Sequence, residues 1–443
     1  MLHHLPQNLH GSTPVRPKWR AITQVRGAGG NPRFTGWLAQ TVSIDDDLPI
    51  TLEAAVLAEF DRLAPAARQA VRAAAVVGDA VDLDLVATVA GDDLPIAELI
   101  AFTRPLLVDS PEGARFAYEG ARAAVHSALP VGVRRSMHRT AAAQLASRAA
   151  ADPSVIPRLA EHWWYADEPL ETIRWSAVAG DMAVARGATA LAVQRYGRAL
   201  HVAAQRGDSG AVCSLADRLA TAADRAGMPA AATRALRLAE RHAESPIQRA
   251  DFMRRRAVQL DWLGRSNAAL RLLTAARRLL DAAADTHPVK LEIAIEIATI
   301  RFFVNQTAPA FDAARSCIRA ADLAGDDRLR ARALMVAEMC ASTLGLPQSR
   351  EFGERALALL AGRNDLRALR ASLLVNLGVT ADNLGSPVAA LRYYAAAVHE
   401  YEQVGDHRLS AVAMANQAGV LIDLGRIDEA LALATRAHRE LAA

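Results

Sequence analysis

One interval governs the second half of this chain. Gly187, Gly227, Gly264, Asn305, Gly345, Gly385 and Gly425 follow one another at spacings of 40, 37, 41, 40, 40 and 40 residues. Each closes one run of helical periodicity and precedes another. From Leu366 to Leu384 the larger apolar residues include Leu366, Leu369, Leu373, Leu377 and Leu384, with Ala381 between the last two, the three-and-four spacing of one helix face. The next run carries Val388, Leu391, Val398 and Tyr401, and Gly385-Ser386-Pro387 stands between the two. Glycine suits a left-handed position after a helix, and proline suits the first residue of the next. Pro229 and Pro347 recur two residues after Gly227 and Gly345. A unit of this size cannot bury its apolar face alone, so the spacing predicts a stack of helical hairpins over residues 187–443.

The repeat resembles the tetratricopeptide family in a lengthened form. Gly-x-x-x-x-Ala-Leu recurs at Gly264/Ala269/Leu270, Gly385/Ala390/Leu391 and Gly425/Ala430/Leu431, matching that family's turn and the start of its second helix. Alanine there lets two helices approach closely. Asn305 replaces glycine in the middle of the series. The repeat family usually presents a concave face on its first helices, which makes Asn376, Asn383, Asn416 and Asp423 the candidate binding positions.

The first half reads differently. Residues 1–29 mix proline, glycine, histidine and basic residues without periodicity and are expected to be unstructured. Pro65 begins a helix running to Val77, Asp82 caps another, and Pro95 begins a further one. Leu106-Leu107-Val108 and Arg115-Phe116-Ala117-Tyr118 flank Ser110-Pro111-Glu112-Gly113, the pattern of a two-stranded wing. The expected architecture is mainly α: a winged-helix-like domain at 51–132, connecting helices at 133–186, then the α-solenoid.

Between Leu52 and Pro130 twelve carboxylates face six arginines, and the would-be recognition helix, Ile96 to Arg104, carries one acid and one base. Phosphate neutralisation supplies most non-specific DNA affinity, so no direct nucleic-acid binding is expected of this module.

Several motifs here resemble those of STAND-class ATPase regulators, the group that includes large LuxR-type transcriptional regulators. Gly30-Asn31-Pro32-Arg33-Phe34 is similar to the motif opening the last helix of their ATPase module, which marks 30–50 as a lid-helix remnant. Phe116-x-Tyr118-x-x-x-Arg122-x-Ala124-Val125 follows a family run in which histidine usually stands at the Tyr118 position and tyrosine at that of His126. That histidine is the one thought to face the nucleotide, so the departure argues against nucleotide sensing. Leu159-Ala160-Glu161-His162 resembles the family's Leu-Ala-x-His helix, and a hydrogen bond across a helix pair is the expected role of His162.

Chemistry finds little footing. A Walker A loop needs a lysine after glycine, and the two lysines, Lys18 and Lys290, do not follow one. Gly27-Ala28-Gly29-Gly30 lacks both the lysine and a preceding strand. Neither a Gly-x-Ser-x-Gly elbow nor a His-Glu-x-x-His helix occurs. Cys213, Cys317 and Cys340 lie far apart, which suggests no disulfide framework or zinc site and suits a cytoplasmic protein. No apolar run is long enough to span a membrane. No catalytic residue, cofactor or metal is expected. The resemblance implies the sensor portion of such a regulator, binding a small-molecule inducer or protein partner through its repeats. The alternatives are a freestanding scaffold acting with a separate ATPase or nucleotide cyclase, and a truncated, non-functional product. Arg254-Arg255-Arg256 is expected to be a solvated helix face.

Overall fold

The computed structural model describes residues 52–78, 81–91, 103–104, 106–110, 113–117 and 119–442. Asn31, Pro32, Phe34 and Tyr118 lie outside the described residues, as do segments 1–29 and 30–50 and most of the helix expected from Pro95. The chain divides into two compact units, Met1–Trp175 and Ser176–Ala443.

The first unit is built on α1 (Leu52–Arg62), α2 (Pro65–Val77), α3 (Leu83–Ala90), a strand pair, α4 (Glu119–Ala128), α5 (Val131–Arg148) and α6 (Ile156–Ala166). Helix α2 starts on Pro65, as its sequence predicts, and buries Ala67, Ala70, Val71, Ala73, Ala74, Ala75, Val76 and Val77. A helix apolar on nearly every side must be surrounded, and α3, α4 and α5 all pack on it. Asp82 caps α3, its carboxylate accepting from Leu85 N at 3.1 Å. The ribbon comprises β1 (Leu107–Ser110) and β2 (Gly113–Phe116), antiparallel with Leu107 opposite Phe116. The expected strand limits are therefore corrected: β1 reaches Ser110 and β2 begins at Gly113. Ser110 and Gly113 pair directly, so both belong to the strands.

The second unit is an array of seven helical hairpins. Helix α7 (Pro169–Ala185) crosses the unit boundary, and past it Asp181 accepts a hydrogen bond from Tyr196 on α8 (Thr189–Gln205). Then follow α9 (Ser209–Arg225) with α10 (Pro229–His242), and α11 (Pro246–Trp262) with α12 (Ser266–Arg278). Next come α13 (Pro288–Phe303) with α14 (Thr307–Ala324), and α15 (Asp327–Thr343) with α16 (Ser349–Leu360). The last two hairpins are α17 (Arg367–Asn383) with α18 (Pro387–Gln403), and α19 (His407–Asp423) with α20 (Ile427–Ala442).

Every member of the seven-residue series that revealed the repeat occupies the turn inside a hairpin, and all have positive φ, Asn305 included at 63°. Asparagine is the residue after glycine that tolerates this region, which explains the one replacement. Ala269, Ala390 and Ala430 are buried against the neighbouring helix. First helices α11, α13, α15, α17 and α19 pack successively on one another, whereas second helices make sparser mutual contact among the described residues. The first helices thus form one continuous side of the array. No helix among the described residues is long and apolar enough to cross a membrane.

Candidate functional site

The side formed by the first helices carries a row of polar contacts, each tying one hairpin to the next. Arg218 on α9 reaches Asp181 on α7, and Arg255 on α11 reaches Asp217 on α9. Arg254 on α11 lies 3.0 Å from Glu292 and 3.7 Å from Glu296, both on α13. Those carboxylates are met from the other side by Arg328 and Arg332 on α15. Burial alone would raise the pKa of Glu292, and the guanidinium groups of Arg254, Arg328 and Arg332 overcome it, so its carboxyl titrates below the usual range.

The solvated arginine face expected at Arg254-Arg255-Arg256 is therefore corrected. Their side chains are mostly buried and diverge: Arg254 to α13, Arg255 to α9, and Arg256 to Glu240 on α10 at 2.7 Å. Successive helical residues point about 100° apart, so three in a row cannot share one face.

Beyond α15 the row changes character. Asn376 on α17 donates through Nδ2 to Met339 Sδ on α15 at 3.2 Å, and is half-buried, as is Asn416 on α19. Asn383 and Asp423 are exposed at the ends of α17 and α19, next to the hairpin turns. All four candidate positions sit on first helices. Deeper in the same row lies Glu338 on α15, which is 0% exposed and accepts from Thr380 Oγ1 at 2.8 Å and from Ser349 Oγ at 3.4 Å. Glu338 carries no motif and was not legible as special in the sequence.

The first unit holds a second cluster. His126 on α4, His138 on α5 and His162 on α6 form a chain, Nε2 to Nε2 at 2.9 Å and Nδ1 to Nδ1 at 2.9 Å. The hydrogen bond across a helix pair expected of His162 is present, and its partner is His138. Tyr165 stacks on the His138 ring at 4.9 Å. Burial, then the positive charges of Arg134 and Arg122, pulls His126 down to about 4. Burial, then its two histidine neighbours and the same arginines, pulls His138 down to about 2. Burial, then Arg158, brings His162 down to about 4.

All three rings are thus neutral near pH 7, and each has one N–H to give. His138 must donate to one neighbour and accept from the other, which permits two proton arrangements of the whole chain. Because His138 uses both ring nitrogens for different partners, the rings do not converge on one point. Among the described residues no group of histidine, cysteine or acidic side chains is arranged to hold a metal ion. Arg122 reaches the carbonyl of Ala75 at 3.4 Å, and Phe116 is buried at the end of β2. These are packing roles on the same unit.

No protein-family model and no curated sequence matches the chain. Solved structures do resemble it. The STAND (Signal Transduction ATPase with Numerous Domains) protein with a tetratricopeptide repeat sensor from Pyrococcus horikoshii is 12% identical, over 95% of this chain and 65% of that one, with a TM-score of 0.41. The apo form of RapI is 11% identical, over 62% of this chain and 93% of that one, at 0.46. The apo quorum sensor NprR from B. thuringiensis is 13% identical, over 74% and 91%, at 0.46. At such values the likeness concerns helical-repeat architecture alone, and the assignment of a tetratricopeptide-like array rests on the hairpin geometry described above.

Proposed function

We propose that this chain is the non-catalytic sensor and interaction portion of a STAND-class, LuxR-type transcriptional regulator, recognising a small inducer or protein partner along the first helices of its repeats. The observation that carries the reading is that polar residues of successive first helices, among them Asp181, Glu292, Asn376 and Asn416, lie along that one side of the array. Stacked first helices offer one extended side whose residues come from different repeats, the usual basis of recognition by solenoids. The winged-helix identity of the first unit and the link to LuxR-type regulators belong to this proposal and rest on the motif resemblance. The sequence offers no Walker A lysine for nucleotide hydrolysis, which favours recognition over chemistry.

The test is a thermal-shift screen of the purified chain against a panel of small metabolites, in parallel with affinity capture from cell extract. A ligand or partner whose effect disappears in Asn376→Ala/Asn416→Ala, with the unliganded melting curve unchanged, supports the reading. A binder indifferent to that pair, and mapped by hydrogen exchange to the second helices, overturns it.

A further inference from the structure

Buried carboxylates between these hairpins are matched with arginine at Glu292 and Glu296, but Glu338 is treated differently. Its Oε1 takes the hydroxyls of Thr380 and Ser349, while Oε2 is buried without a hydrogen-bond partner. Among the described residues no guanidinium or ammonium offsets it: burial raises its pKa, and the two hydroxyls counter that only in part. Leaving a buried carboxyl oxygen unsatisfied is unfavourable, and such a group asks for a donor.

Glu338 also lines a cavity of about 520 Å³ between hairpin α15/α16 and hairpin α17/α18. Its walls include Leu346, Leu357, Leu377 and Tyr393, and Leu384 stands 72% exposed beside them. Arg350 and Glu354 on its lining already pair with each other at 2.7 Å. With those two paired, Glu338 is the acid of the lining that has no basic partner among the described residues. Gly353 sits where a Cβ would stand 2.7 Å from Leu377 Cδ2 and 3.5 Å from Glu338 Cγ, so glycine is what allows the neighbouring helix this close to the carboxyl. The volume suits a small molecule.

We propose that this cavity binds a small amphipathic primary amine, whose ammonium donates to Glu338 Oε2 while its apolar stem lies against Leu346, Leu377 and Tyr393. A carboxylate ligand would meet Glu338 and be repelled. A neutral alcohol can make the hydrogen bond but brings no positive charge to favour the carboxylate form. The inference rests on the reading of the array as a sensor and names the class of inducer it would take.

Titration calorimetry of the full chain with hexylamine, hexanol and hexanoate tests it. Hexylamine should bind saturably and at least about tenfold more tightly than hexanol, a difference of about 1.4 kcal/mol, with no hexanoate binding. Glu338→Gln should weaken hexylamine by about the same factor and leave hexanol unchanged. Ala389→Leu, which narrows the cavity from α18 without touching the carboxyl, should weaken both and serves if the first variant folds poorly. Equal binding of amine and alcohol, amine binding unaltered in both variants, or no saturable amine binding at millimolar concentration overturns the assignment. That failure would leave recognition through Asn376 and Asn416 intact, because the metabolite and capture assays read it separately.

Discussion

At the scale of single residues, the three-imidazole chain has a sharp consequence for pH. His126 and His162 titrate near 4 and His138 near 2 in the folded chain, against 6.5 for an ordinary histidine. The unfolded chain therefore binds more protons than the folded one below pH 6.5, and stability must rise with pH in that window. We expect the first unit to be fully stabilised above about pH 6.5 and to lose stability progressively as pH falls towards 4. Melting temperatures measured across that interval check this, and a flat profile would show that the rings are charged or solvated. Of this cluster only His162 was legible in the sequence, through its Leu-Ala-x-His context. His126 and His138 lie 12 and 24 residues from their partners along the chain and on separate helices, a separation that leaves no periodic signature. Glu338 escaped for the same reason, since Thr380 is 42 residues away.

At the scale of elements, the turns inside hairpins were readable because one conformation recurs at one spacing and glycine supplies it cheaply. The turns between hairpins repeat as well: Gly207, Gly325 and Gly405 have positive φ, and Asp208, Asp326 and Asp406 behind them cap α9, α15 and α19. Gly-Asp was a usable signal there. A second device was hidden altogether. Tyr196 and Tyr394 each lie sixteen residues after a helical glycine, Gly180 and Gly378, against which the ring packs. A Cβ at Gly378 would stand 2.6 Å from Tyr394 Cε1, so Gly378→Ala must displace the ring. We expect a loss of about 1–3 kcal/mol in urea unfolding, the range for overpacked cores. A substitution tolerated without loss would mean the hairpin has slack that the packing does not show.

At the scale of the second unit, the hairpins from α9 to α15 are joined by a charge ladder whose partners sit about one repeat apart: Arg255 to Asp217, Arg254 to Glu292, Glu292 to Arg328 and Glu296 to Arg332. Such contacts act between neighbours, as expected of a solenoid. Arg254→Ala removes the link between α11 and α13. It should destabilise by about 2 kcal/mol, less than breaking an isolated buried pair, because Glu292 keeps Arg328 and Glu296 keeps Arg332. Chemical unfolding of the variant checks the value, and no change would reduce the ladder to ornament on the surface. The hairpin array itself was plain from the sequence, since its period is carried by backbone requirements. The ladder was not, because pairing between repeats depends on which way each side chain leaves its helix.

We propose that this chain recognises and does not make or break bonds. Phosphate release from ATP and GTP by the purified full chain, with magnesium present, tests that most directly. The expected result is release equal to the protein-free control. Sustained turnover that disappears when residues of this chain are substituted would contradict it.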